Sequence, residues 1–420
     1  MTWIIVGLLI VIATFWLIIK NYETRLVLSL SGALMAILGG NLPGAVDAFI
    51  KQFVNGGLVP TICTVLGFSY VMNYTKCSDH LVAMMTSILR RVPIIILPGT
   101  VIVTFFLNIA LPSAAGVAAA VGALLIPMLL ALKVKPGMAA SAVYLGTWGS
   151  VISPGLMFNP QIADMAKVDV MTVIATTTPS VLISLGIAAV LLTLMAKVMK
   201  EGVGSNTEAV ANSEDQGAMK VNYIYAMVPV LPLALLVLGS KQIGLTPYMS
   251  VPEVMLLGSV IGFVVTRCNL GEGTKKFFRG AGDGFADVVG LMAAAAMFCA
   301  GMDSIGLTGA LVDVMKESQA AAQFAAAAGP FTMAAISGSG NAAALAFNGA
   351  VVPHAADFGY GIVELGSVSQ IAAALGRTMS PVAAAAIICA KLAGVNPMEI
   401  AKRNAIPTIG ATIAVTLLLL

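Results

Sequence analysis

Long apolar runs follow one another along this chain, separated by short polar or charged breaks, and most of them are long enough to cross a bilayer as helices. A spanning helix needs roughly 17–25 apolar residues. The runs at 2–19, 26–40, 57–75, 136–165, 170–196, 221–239, 250–266, 282–301, 362–390 and 404–420 read as spans. Two further apolar stretches, 92–132 and 320–356, are each interrupted by a cluster of Pro, Ser, Gly or Asn: LPSAAG at 111–116 and SGSGNA at 337–342. Backbone released from a helix at membrane depth costs several kcal/mol per group unless protein or a cavity surrounds it. These two stretches therefore read as re-entrant hairpins. Segments 43–55 and 271–281 are amphipathic and read as interfacial arms. The run from Thr2 to Ile19 has neither a basic flank nor a small-residue cleavage site, so it reads as a retained span.

The same order of features occurs twice, at an offset of 226–227 residues. The cluster at 111–116, followed by an apolar helix ending at Pro127, pairs with the cluster at 337–342, followed by one ending at Pro353. GSVISP at 149–154 pairs with GRTMSP at 376–381, and the span 57–75 pairs with 282–301. The first half, 1–200, holds helices within 1–75, hairpin 92–132, broken helix 136–165 and helix 170–196. The second half, 221–420, holds helices within 221–301, hairpin 320–356, broken helix 362–390 and helix 404–420. Five spans is an odd number, so the second half enters the membrane upside down. The expected architecture is an all-α integral membrane protein of two inverted repeats, each with five spans and one hairpin. Inverted repeats with helices broken near midplane characterise secondary transporters.

Charge placement tests this topology. With the N-terminus outside, seventeen of the 22 Lys and Arg residues fall inside, four (Lys51, Lys167, Lys241, Lys316) fall outside, and Arg377 lies within a span. Cytoplasmic loops carry the excess of Lys and Arg, so both termini are expected in the periplasm of a bacterial inner-membrane protein. The polar stretch 201–220 between the halves, rich in Gly, Ser, Asn and acids, reads as a cytoplasmic linker. The composition agrees: 59% of the residues are apolar and 10% charged, against about 25% charged in soluble domains. Two histidines and five scattered cysteines supply no metal-ligand spacing and no disulfide framework. No cofactor, resident metal or nucleic-acid partner is expected, and no HExxH or nucleophile–base motif of an enzyme is present.

The candidate chemistry lies at the breaks. Each hairpin tip starts a new helix, whose free N–H groups and positive dipole end suit an anion. Ser113 and Ala114 at the first tip, and Ser339, Gly340 and Asn341 at the second, are the candidate substrate contacts there. Ser-Pro steps at 153–154 and 380–381 push the preceding residue out of helical geometry, and Ser150, Ser153, Thr378 and Ser380 supply polar groups beside them. Backbone groups released at these breaks suit either an anion or a cation. Arg377 is the most informative residue: an arginine at the centre of a span costs roughly 2.5–3.5 kcal/mol on insertion scales. It pairs either with a protein carboxylate (Asp283, Asp287, Asp357 or Glu364) or with substrate. Two tips approaching from opposite faces suit a two-ended substrate, a dicarboxylate. Asp283, Asp287, His354, Asp357 and Glu364 are the candidate ion-coupling residues, with H+ or Na+ as the ion.

SGSGNA (337–342), GRTMSPV (376–382), AGVNPMEIAKRNAIP (393–407), RGAGDGFADVV (279–289) and PSAAG (112–116) resemble the DcuC-type anaerobic C4-dicarboxylate carriers, most strongly from Gly271 to Gly410. The order of hairpin and broken helix is also similar to that of the wider ion-transporter superfamily, including divalent-anion/sodium symporters. This resemblance implies a homodimer in which a scaffold domain, here helices within 1–75 and 221–301, supports a transport domain that moves as an elevator. It places substrate between the two tips. Those symporters carry Ser-Asn-Thr at each tip; here the second tip reads Ser339-Gly340-Asn341 and the first Ser113-Ala114-Ala115. The implied activity is secondary transport of succinate, fumarate or malate, coupled to protons or sodium or run as exchange. A monocarboxylate permease of the same fold and a passive anion channel remain open alternatives.

Overall fold

The computed structural model describes residues 2–20, 22–89, 95–155, 158–205, 220–240, 243–316 and 319–420, and these are helical with short connections. Most of the expected linker (206–219) lies outside the described residues, as do Arg90, Arg91 and Lys241 from the charge count and 92–94 and 156–157 from the hairpin and broken-helix expectations. By length and composition, Ala114–Ala131, Val170–Val198 and the continuous helix Leu270–Ser304 suffice to cross a membrane. Two bent pairs add to these, Leu42–Phe53 with Leu58–Tyr74 (46°) and Ala384–Ala393 with Pro397–Leu419 (116°).

Boundaries differ from the sequence reading at several places: the helix after the first tip runs through Pro127 to Ala131, and the run 221–239 holds two short helices, Tyr223–Met227 and Leu231–Leu238. The arm Leu270–Asp283 does not stop before the next span. A π-helical stretch, Gly284–Val289, carries it directly into Gly290–Ser304. Small residues make this continuity workable: Gly280 packs against the Leu66 carbonyl and Gly284 against the Leu66 side chain, so the helix lies along its neighbour without a turn. The last helix starts at Pro397 rather than at 404, because the Asn396 side chain caps it by accepting from Met398 N–H at 2.8 Å and proline is well suited to the first turn. The sharp bend before it falls at Gly394, whose φ of +68° a residue with a Cβ rarely adopts.

Packing crosses between the halves. The arm Leu42–Phe53 lies against Gly290–Ser304, and the arm Leu270–Asp283 lies against Leu58–Tyr74. Thr24–Leu38 meets Gly290–Ser304 backbone to backbone, with Gly32 against Met297 and Phe298. Small residues permit such close approach where lipid gives helices no hydrophobic reason to associate. One buried core gathers Phe105, Tyr144, Trp148, Val121 and Leu125 with Ala386 and Cys389 from the far end of the chain. A second gathers Ile162, Phe298, Leu345, Val352 and Val368. Each core thus joins residues from both halves, and the breaks lie where the two meet.

Candidate functional site

Two helix pairs carry the tips. Ile96–Ala110 and Ala114–Ala131 meet at 111–113; Gln319–Ser337 and Gly340–Ala350 meet at 338–339. The two tips are built differently. Ser113 is extended (φ −98°, ψ 107°), and its Oγ accepts from Gly116 N–H at 3.2 Å, so the first tip caps its own helix. Ser339 is also extended, but its side chain makes no cap bond. There Ser337 turns back, donating to Met333 O at 2.7 Å and accepting from Ser339 N–H at 3.2 Å. The first N–H groups of Gly340–Ala350 consequently have no side-chain cap, and Asn341 sits half-buried beside them. Gly338 (φ +73°) seats this tip directly on Val382 and Ala383, and Gly340 packs against the Ala373 carbonyl. No hydrogen bond joins Ser113 to Ser339–Asn341 among the described residues; each tip is instead tied to the break behind it.

Those breaks interrupt two helices. The first runs Pro136–Leu145, a 3-10 stretch Gly149–Ile152, then Phe158–Ala166; the second runs Ile362–Arg377, then Ala384–Ala393. At both, a glycine allows a neighbouring carbonyl to approach where a Cβ would stand: Gly149 against Phe105 O, Gly376 against Phe331 O. Carbonyls freed by the breaks are satisfied by side chains, as burial requires. The Tyr144 hydroxyl donates to Arg377 O and, at 3.2 Å, to Ser380 O. Asn404 donates to Thr378 O at 2.9 Å. Asn159 donates to Val151 O at 2.9 Å and Ser153 O at 2.8 Å, and its own amide oxygen accepts from Gln370 at 2.8 Å. Asn108 links the first tip to the first break, donating to Leu111 O at 3.0 Å and accepting from Ser150 N–H at 2.9 Å. Tyr144 and Gln370 stand 226 residues apart, the spacing of the sequence repeat, and each reaches toward the other half's break or its brace.

Arg377 lies half-buried at this hub. Its Nη2 donates to Thr147 O at 2.7 Å, and its own carbonyl is held by Tyr144. No carboxylate lies within ion-pair distance of it among the described residues. Three of the four acids considered as partners are engaged elsewhere. Asp283 accepts from Tyr70 OH at 2.5 Å, Asp287 meets Arg25 at 3.2 Å, and Asp357 meets Lys316 at 3.4 Å and His354 at 3.5 Å. Glu364, in the first turn of its helix, folds back over Gly361. Thus the five candidate ion-coupling residues share no hydrogen bond or ion pair with Arg377 or with either tip.

The remaining hydroxyls divide by what they already do. Thr147 and Thr378 donate back to carbonyls of their own helices, Tyr144 O at 2.8 Å and Leu375 O at 2.7 Å, and Ser380 Oγ accepts from Val382 N–H at 3.4 Å. Ser150 and Ser153 are buried at the first break; Ala114 is half-buried at the first tip. Unspent donors remain on Arg377, Ser339, Asn341 and the uncapped helix start of the second tip, and on the hydroxyls of Ser113, Ser150, Ser153 and Ser380, none of which donates a hydrogen bond among the described residues. Guanidinium, hydroxyl, amide and helix-start N–H groups are donors of the kind that bind a carboxylate. The bracing residues Asn108, Tyr144, Asn159, Gln370 and Asn404 were not among the sequence candidates. Isolated amides and a phenol within otherwise apolar runs, two of them one repeat apart, are the signal that marks them.

A model of the C4-dicarboxylate anaerobic carrier family, DcuC, matches residues 3–420. The probable anaerobic C4-dicarboxylate transporter DcuC of Vibrio cholerae is 26% identical over 437 residues, covering 97% of this chain and 95% of that protein. The anaerobic C4-dicarboxylate transporter DcuC of Escherichia coli is 23% identical over 441 residues, covering 97% and 94%. A putative uncharacterized transporter of Haemophilus influenzae is 38% identical over 279 residues, 64% of this chain and all of that protein. In fold, the chain is similar to the crystal structure of the Alcanivorax borkumensis YdaH transporter, with a TM-score of 0.64, 14% identity and 97% of each chain covered.

Proposed function

Because the chain belongs to the C4-dicarboxylate anaerobic carrier family, a family of membrane transporters, we propose that it is a secondary carrier of C4-dicarboxylates such as succinate, fumarate and malate across a bacterial inner membrane. The observation that carries this reading is Arg377: a guanidinium inside the helical bundle with one hydrogen bond, to Thr147 O, and no acidic partner among the described residues. An uncompensated cation in such a place is costly unless an anion arrives to meet it. One carboxylate of the substrate takes Arg377 together with Ser339, Asn341 and the uncapped start of Gly340–Ala350. The other reaches toward Ser113, Ala114 and the first break at Ser150 and Ser153.

In this reading the halves are inverted repeats, the two helix pairs are re-entrant, and the tips and broken helices move together past a scaffold in a homodimer. Both termini lie in the periplasm and the linker in the cytoplasm. The arms Leu42–Phe53 and Leu270–Asp283, each packed on the other half, join the two parts. For coupling, proton symport or dicarboxylate exchange fits better than sodium. The carbonyls of Val151, Ser153, Arg377, Thr378 and Ser380 are already held by side-chain donors, so a cation at either break would have to displace them.

The test is counterflow in proteoliposomes holding the purified chain. Unlabelled succinate inside should accelerate uptake of labelled succinate, and fumarate and malate should compete where lactate and gluconate do not. Uptake without trans-stimulation would point to a channel, and preference for lactate or gluconate would replace the dicarboxylate by a monocarboxylate held at the second tip alone.

A further inference from the structure

Just after the helix Val170–Val198, the turn at 201–205 folds back on the connection between Ala114–Ala131 and Pro136–Leu145. Gly204 N–H donates to Leu132 O at 3.0 Å, and Lys135 N–H donates to Glu201 O at 3.2 Å. That bond brings Lys135, and Lys133 two residues before it, to the turn, while Lys197 and Lys200 line the cavity beside it. None of the four has an ion pair among the described residues. The turn's own acid is withdrawn from them: Arg403 binds Glu201 through two bonds of 2.6 and 2.7 Å, with side chains 8% and 7% exposed.

Against the turn lies a cavity of about 420 Å³, lined by Ile96, Leu97, Pro98, Thr193, Lys197 and Lys200 together with the chain at 202–205. The helix Ile96–Ala110 starts at the cavity wall without a side-chain cap. Beside it, Ile95 and Val203 are 48% and 52% exposed. Unpaired ammonium groups set beside exposed branched apolar side chains suit a ligand that is anionic at one end and hydrocarbon at the other. A soluble anion gains nothing from the apolar part. Basic pockets between spanning helices bind lipid headgroups by this chemistry.

We propose that this cavity is a binding site for the phosphate group of an anionic phospholipid, held by Lys197 and Lys200 with the acyl chains over Ile95 and Val203. The site depends on the chain being in a membrane and not on which substrate it carries.

Native mass spectrometry of the full chain, titrated with phosphatidylglycerol, phosphatidylcholine or inorganic phosphate, tests it. Phosphatidylglycerol should bind saturably and at least about tenfold tighter than either of the others. The double variant K197Q/K200Q should weaken it about thirtyfold, from the loss of two lysines near an anionic lipid. K197R/K200R should retain it, and K275Q/K276Q on the distant arm should leave it within about twofold. Equal binding of the two lipids, inorganic phosphate matching phosphatidylglycerol, or equal losses in both glutamine variants would overturn the proposal. The comparison of ligands on the unaltered chain decides the matter even if K197Q/K200Q fails to fold.

Discussion

Replacing Arg377 by lysine keeps the charge and removes the planar fork. In the structure the guanidinium spends one of its five N–H groups, on Thr147 O at 2.7 Å. The others are free to engage a carboxylate through two parallel bonds. Lysine offers a point charge that cannot hold Thr147 O and both carboxylate oxygens in one plane. One charge-assisted hydrogen bond is thereby lost, worth about 1.5–3 kcal/mol, which corresponds to roughly tenfold to a hundredfold weaker binding. Arg377→Ala removes the charge as well and should weaken succinate by more than about a hundredfold. Radiolabelled succinate binding to the purified protein measures both, with uptake into proteoliposomes as the functional counterpart. Thermal unfolding in detergent checks that Arg377→Ala, which orphans Thr147 O, still folds. A folded Arg377→Ala that binds succinate within about twofold of the parent would refute the assignment, because nothing else at the hub supplies a cation.

Three further outcomes follow from the same geometry. Ser113→Ala removes a helix cap and should cost about 1 kcal/mol of stability, seen as a lower melting midpoint, whereas Ser339→Ala, which caps nothing, should leave melting unchanged and weaken succinate several-fold. Gly149→Ala and Gly376→Ala each place a methyl on a backbone carbonyl oxygen, Phe105 O or Phe331 O; both should abolish uptake and lower the yield of folded protein in size-exclusion profiles, while Gly186→Ala, in open space, should not. Tyr144→Phe strands the carbonyl of Ser380, at about 1–3 kcal/mol for a buried group left without a partner, and leaves that of Arg377 with the Ser380 N–H alone; Gln370→Leu acts likewise through Asn159, so both should melt earlier than the parent with little change in expression.

The helical plan was legible because long apolar runs mark helices, and the breaks at 111–116 and 337–342 fall where the helices end in space. Element limits were less legible where small residues decide them. Gly280 and Gly284 let an arm and a span fuse, and nothing in their hydropathy distinguishes that from a turn. Arg377 stood out in the sequence because a charge in an apolar run is rare. Its choice between a protein carboxylate and a free one was not readable, since Asp283, Asp287 and Asp357 find their partners, and Glu364 its place over Gly361, only in three dimensions. Tyr144 and Gln370 escaped notice for a related reason: a phenol or an amide in an apolar run is cheap enough to be common, and its target carbonyl lies in the other half.

That reciprocal bracing also orders the protein's assembly at the ribosome. The Tyr144 hydroxyl is inserted 233 residues before the carbonyl that will receive it, and the Asn159 amide oxygen waits 211 residues for Gln370. The first half is therefore made with two positions unfilled, the Tyr144 hydroxyl and the Asn159 amide oxygen, which residues of the second half close. Separately synthesised halves, cut within 206–219, should accordingly be degraded alone and rescued when made together.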